Sequence, residues 1–356
     1  MTRRVLIAPD KFKGSLTAPQ VAQAIATGWR RARPEDELTL LPMADGGDGT
    51  AVVVALGAWS GGEWVMVPTV DALGRPHAGW YLRAGDTAVV ELALACGIAQ
   101  LEALDPMGSH TIGLGIVIGA ALRAGVDRLV VGLGGSASTD GGAGALSALG
   151  ARFIGRDGVL PVGGAGLARL AAIALDGLIP LPRKGVEVWV DVRAPLCGPL
   201  GAAAVFGPQK GASADQVAAL QRGLVRFAEL LGGSPDAAGA GAAGGTGYGL
   251  ACWGATLVPG AAAVASAIGL PAALSHADIV VTGEGRFDRS SMTGKACGYV
   301  IAEAGAARSF VIAGSVGDGC RGDRVLSLTE LAGSETAAVS DPAYWIAEAA
   351  SLVAAS

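Results

Sequence analysis

Four short apolar runs in this chain each stop at a loop that mixes glycine with charges or hydroxyls, and this repeated event constrains the fold more than any other feature. VLIA ends at APDKFKGS, ELTLLPM at MADGGDGT, DRLVVGL at GLGGSASTDGG, and ADIVV at TGEGRFD. A β-branched-rich run followed by a loop and then by residues at helical spacing is the signature of strand, loop and helix in parallel-sheet order. After the first loop, TAPQVAQAIATGWRRA has Thr17 as an N-cap candidate and Pro19 in its first turn. ADQVAALQRGLVRFAELLG and KACGYVIAEAGA read as further helices, and an Ala-rich helix closes the chain. Between residues 63 and 92, EWVMVPTV, AGWYLRA and TAVVEL are strand-like and separated by turn signals, so an antiparallel portion is expected there. VEVWVDV, SFVIAGSV and RVLSLTE complete the strand candidates.

This pattern predicts an α/β fold with a doubly wound parallel sheet assembled from both chain ends and a mixed α/β portion inserted between them. The borders fall at 1–65 and 275–356 for the outer domain and 66–274 for the insertion. Loops at the carboxyl ends of such strands converge on a crevice where small ligands bind. Segment 233–249, GSPDAAGAGAAGGTGYG, has by composition alone the look of a linker.

Several classes are excluded. With a net charge of −5 and scattered Lys and Arg, no cationic surface suits a nucleic acid. Five cysteines, odd in number and never at two-residue spacing, indicate neither a disulfide framework nor zinc, and fit a reducing cytoplasm. No run resembles a signal peptide or a membrane span, so no membrane partner is expected. His77, His110 and His276 do not cluster, and G-x-S-x-G is absent, which removes the main support for a Ser-His-Asp hydrolase. Gly132, Gly134 and Ala137 imitate a dinucleotide fingerprint with Asp157 as the ribose acid, but that acid falls in a turn-like GRDG.

Phosphoryl transfer needs amide cradles, cations and an acid for magnesium, and all are present. Gly134, Gly135 and Ser136 offer clustered amides ahead of a helix, the arrangement that cradles phosphate. Lys210 in FGPQKGAS and Lys295 after Gly294 suit a polyphosphate as point cations. Asp45, Asp48, Asp191, Glu284 and Asp288 could hold magnesium or accept a proton from an attacking hydroxyl.

VLIAPDKFKGSLTA, MADGGDGT, VELALACG, LGGSASTDGGAG, FGPQKGA, AGAGAAGGTGYG and TGEGRFDRSSMTGKA, in this order along almost the whole chain, resemble the bacterial glycerate kinase family. The resemblance implies ATP-dependent phosphorylation of D-glycerate, usually at the 2-hydroxyl, on two α/β domains, one flavodoxin-like, with a cleft between them that closes to exclude water. It also makes AGAGAAGG a family signature instead of a linker. Within that frame Lys13 and Arg286 are expected to hold the glycerate carboxylate, with Ser15 and Glu284 beside it. Asp191 is expected to orient or deprotonate the hydroxyl, with Asp288 second. The GGSAS amides, Lys210 and Lys295 take the triphosphate, and Asp45 or Asp48 reaches magnesium. The expected partner is D-glycerate alone, on a monomer or homodimer. The chain departs from the family at Asp48, Ser138, Thr139, Arg193, Ala194 and Ser290, where glutamate, Thr-Asn, Asp-Asn and glutamine are usual. Three rivals remain open: attack by the 3-hydroxyl, an NAD-dependent oxidoreductase, and a glycerate sensor without turnover.

Overall fold

The computed structural model of the 356-residue chain describes residues 2–57, 59–156, 158–319 and 322–356. Asp157 and Cys320, which entered the sequence argument, lie outside the described residues. The strands are β1 Arg4–Ile7, β2 Glu37–Leu40, β3 Glu63–Val70, β4 Pro76–Ala84, β5 Thr87–Glu91, β6 Arg128–Gly132 and β7 Arg152–Gly155. They continue with β8 Gly158–Val159, β9 Ala172–Ala174, β10 Val186–Val190, β11 Thr256–Pro259, β12 Ile279–Phe287, β13 Arg308–Val316 and β14 Arg324–Ser327.

The described residues divide into two compact units, one of residues 1–45, 52–60 and 260–356, the other of 46–51 and 61–259. The first unit holds a five-stranded sheet in the order β14-β13-β12-β1-β2, parallel throughout. Counted within the sheet this is the 2-1-3-4-5 order of flavodoxin-like folds, as expected for a doubly wound sheet built from both chain ends. The reason is local. Helix Ala18–Ala32, following β1, buries Val21, Ile25 and Trp29 on the face that carries Val5, Ile7, Ile279 and Val281. Each such side chain contributes about 2 kcal/mol. Helix Ala296–Glu303, following β12, instead places Cys297 with Phe287, Val311 and Ala313 on the opposite face. The connections leaving β1 and β12 therefore run to opposite sides of the sheet, and the loops leaving these neighbours diverge and open a crevice.

The second unit is built on a six-stranded sheet, β11-β10-β6-β5-β4-β3. β3, β4 and β5 pair antiparallel, in agreement with the turn signals between them, while β5, β6, β10 and β11 are parallel. A three-stranded antiparallel sheet, β8-β7-β9, was not foreseen. The linker reading of 233–249 fails. Ala240, Ala242, Gly244 and Tyr248 are buried, and the helix Ala242–Trp253 begins with three residues in left-handed geometry. Gly244 (φ +68°) is required there because a Cβ would lie 2.1 Å from the Ser138 carbonyl oxygen. The glycines let this backbone lie directly on the 138–142 loop. No helix among the described residues is long and apolar enough to cross a membrane.

Candidate active site

The carboxyl ends of β1 and β12 frame a cavity of about 420 Å³ in the first unit, at the switch point. Its lining includes Asp10, Lys11, Lys13, Ser15, Asp45, Glu284, Arg286 and Lys295. The loop after β1 closes on itself by paired backbone bonds between Phe12 and Leu16, 2.8 and 3.0 Å. Gly14 at φ +81° makes that turn possible, and Ser15 Oγ donates to the Phe12 carbonyl at 3.1 Å. Lys13 and Ser15 are thereby presented on a short, braced loop.

Charge is concentrated in this cavity. Asp10 is buried, and desolvation together with the nearby Asp45 carboxylate pushes its pKa well above the usual value, against the pull of Lys11. Glu284, 8 % exposed, is also shifted up by burial, while Ser291 and Lys295 oppose the shift. Its Oε1 has no hydrogen-bond partner among the described residues. A buried acceptor without a donor fits a site that takes a ligand hydroxyl or a cation. Arg286 is 74 % exposed, and its Nε donates to Asp288 Oδ2 at 3.1 Å. Asp288 itself caps the turn after β12, accepting from Ser290 N at 2.8 Å and Ser290 Oγ at 2.7 Å. These bonds, with Arg286, hold its pKa down to about 2, which makes it a poor proton acceptor. Asp288 does not line the cavity; it orients Arg286.

In the second unit the sequence-predicted cradle lies at the carboxyl ends of β5, β6 and β10. Glu91 pairs with Gly132 across β5 and β6, and Trp189 pairs with Gly132 across β6 and β10. Asp191, half-buried, therefore begins the loop beside the one that carries Gly134, Gly135 and Ser136. Lys210, 2 % exposed, donates from Nζ to Ser136 Oγ at 3.2 Å and to the Ser138 carbonyl. Burial lowers its pKa to about 8, with Asp140 pulling the other way. The ammonium thus braces the cradle loop from behind. Gly134 is tight: a Cβ there would be 2.4 Å from the Asp48 amide nitrogen.

Sequence reasoning missed three acids. Asp10 lies in the loop APDKFKGS, where the lysines drew the attention. Glu91, within VELALACG, is buried and accepts from the amides of Gly49 (3.0 Å) and Ala51, capping the helix Thr50–Leu56. Asp140, fully buried, accepts from Thr111 N and Oγ1, Gly142 N and Gly144 N at 2.8–3.1 Å. The run STDGG, an acid before two glycines at a helix start, was the available signal for it. Of the expected residues, the structure brings Lys13, Ser15, Asp45, Glu284, Arg286 and Lys295 together in the first unit. Gly134, Gly135, Ser136, Lys210, Asp48 and Asp191 belong to the second. Lys295 was grouped with the nucleotide set but lines the same cavity as Lys13 and Arg286. Among the described residues no group of three or more His, Cys, Asp and Glu is arranged to hold a metal.

A switch-point cavity with four basic side chains, and a glycine–serine loop ahead of a helix, suit an α/β enzyme that takes anionic ligands. The sequence matches the Glycerate kinase family over residues 5–356. It is 41 % identical over 319 residues to a glycerate kinase of Bacillus subtilis (strain 168), covering 86 % of this chain and 82 % of that one. It is 39 % identical over 306 residues to a glycerate 2-kinase of Escherichia coli (strain K12), covering 82 % and 79 %. A crystal structure assigned to glycerate kinase 2 from Salmonella typhimurium LT2 superposes with a TM-score of 0.81 at 37 % identity, covering 100 % of this chain and 98 % of that one. The chain belongs to the glycerate kinase family, and it is a kinase acting on a small molecule.

Proposed function

We propose that this enzyme transfers the γ-phosphoryl group of ATP to D-glycerate and yields 2-phospho-D-glycerate. The observation that carries the substrate is the cavity's lining, in which Lys13, Arg286 and Lys295 surround the unpartnered Glu284 Oε1. Arg286, oriented by Asp288, offers a planar fork to the glycerate carboxylate, and Lys13 adds a point charge. Ser15 and Glu284 address the hydroxyls. Lys295 then neutralises the phosphoryl oxygens as charge develops. The relatives named glycerate kinase and glycerate 2-kinase support the same reaction.

The amides of Gly134 and Gly135 and the Ser136 hydroxyl are the proposed triphosphate cradle, held in shape by Lys210. Magnesium is a hard cation that takes oxygen ligands, and within the first unit the Asp45 carboxylate and the open oxygen of Glu284, which line the same cavity, are donors of the kind that would hold it. When bound it would screen the transferring phosphate charge. Asp191 is the proposed base or orienting group for the attacking hydroxyl. The described cysteines are free thiols, in keeping with a cytoplasmic setting. Phosphorus NMR of the product from ATP, magnesium and D-glycerate tests the reading: a 2-phosphoglycerate resonance supports it, a 3-phosphoglycerate resonance moves the attack to the other hydroxyl, and no new ester refutes it.

A further inference from the structure

Arg156, at the end of β7, and Arg169, just after the short helix Gly164–Leu167, are exposed, and among the described residues neither side chain has a hydrogen-bond or ion-pair partner. Both line one groove of about 710 Å³ in the second unit, and Arg226 from the helix Ala214–Leu231 lines it too. Arg226 is already aimed, since its Nε donates to the Leu170 carbonyl at 2.9 Å and its Nη1 to Glu229 at 3.1 Å. No acid is among the groove's described lining residues. Of the three guanidinium groups lining this open groove, Arg226 is paired with Glu229, while Arg156 and Arg169 have no acid beside them among the described residues, so an anion there would meet two uncompensated charges. Their planar forks match phosphate and carboxylate oxygens.

The groove is also joined to the cradle. Gly164 lies so close to Thr139 that a Cβ would be 2.4 Å from its carbonyl oxygen, and Ala165 N donates to the Met107 carbonyl at 3.1 Å. The helix that carries Arg226 starts from the Ser213 cap, three residues after Lys210. An anion bridging Arg226 to Arg156 and Arg169 would fix the two elements that back the cradle loop.

We propose that this groove is a second anion site, for a small organic molecule bearing at least two negative charges as phosphate or carboxylate, and that its occupation changes the KM for nucleotide. The test is calorimetric titration of the full chain with pyrophosphate and, separately, tricarballylate, with and without a saturating non-hydrolysable ATP analogue and magnesium. The arms without analogue keep the groove readable should the kinase reading fail. The expected result is saturable binding of one or both probes that persists with the analogue present and weakens about tenfold or more in R156Q/R169Q. R156K/R169K, which keeps charge but loses the fork, falls between. Basal activity without the probe stays at the wild-type level in R156Q/R169Q, whereas the probe shifts nucleotide KM only in the wild type. Absence of saturable binding, equal affinity in R156Q/R169Q, or binding without a change in nucleotide KM overturns the proposal.

Discussion

Asp10 and Asp191 make opposite predictions although both are acids at strand ends. The folded pKa of Asp10 is raised, so its contribution favours the native state below the ordinary carboxylate value and is lost as pH rises through the folded value. D10N is therefore expected to raise Tm at pH 7, with the gain vanishing near pH 3, by about 2–4 °C per kcal/mol recovered. Thermal melts across that range check the sign; a lower Tm at pH 7 contradicts the assignment. D191N should leave Tm unchanged and lower kcat by about two orders of magnitude or more, as the loss of a base does. Near-normal turnover removes Asp191 from the mechanism. Lys210 has a lowered pKa, so its ammonium is fully present below about 8 and fades above. KM for nucleotide is expected to rise as pH passes that value, and K210R should move the rise to higher pH. Legibility at this scale followed chemistry that repeats. Lys13, Glu284 and Arg286 stood out because charges beside glycines at a strand end are unusual. Asp10, Glu91 and Asp140 did not, because a buried acid that accepts backbone amides is written in the sequence like any turn residue.

Elements with a strong period were plain in the sequence, and those held by tertiary contact were not. The helix Ala214–Leu231, with its Ser213–Gln216 capping box, and the strands with apolar runs were expected and found. The sheet of β7, β8 and β9 was missed because its strands are only two to four residues long and mostly carry exposed or half-buried side chains. The segment opening the helix Ala242–Trp253 misled because glycine and alanine have the composition of a linker when their role is close backbone approach. G244A tests that role. With φ +68° and the Ser138 carbonyl 2.1 Å from the new Cβ, it should cost about 1–3 kcal/mol and weaken nucleotide binding as the cradle loop shifts. G14A, at φ +81° with open space around the Cβ, should cost about 1 kcal/mol. Equal melts for the two variants would deny that backbone contact makes the difference.

At the level of the whole molecule, the assembly of one parallel sheet from both chain ends was legible because strand, loop and helix recur in the same order at both ends. The exchange of residues 46–51 and 52–60 between units was not, since no change of composition marks it. Each unit carries one concentration of polar chemistry in a different form: cations around buried acids in the first, amides around hydroxyls in the second. If the first unit alone recognises the acid substrate, as proposed above, hydrogen–deuterium exchange of the full chain with D-glycerate and no nucleotide will show protection of the peptides spanning residues 10–16 and 284–295, with residues 132–142 protected only when nucleotide and magnesium are added. Glycerate protection confined to 132–142, or none in the first unit at saturating acid, would contradict it.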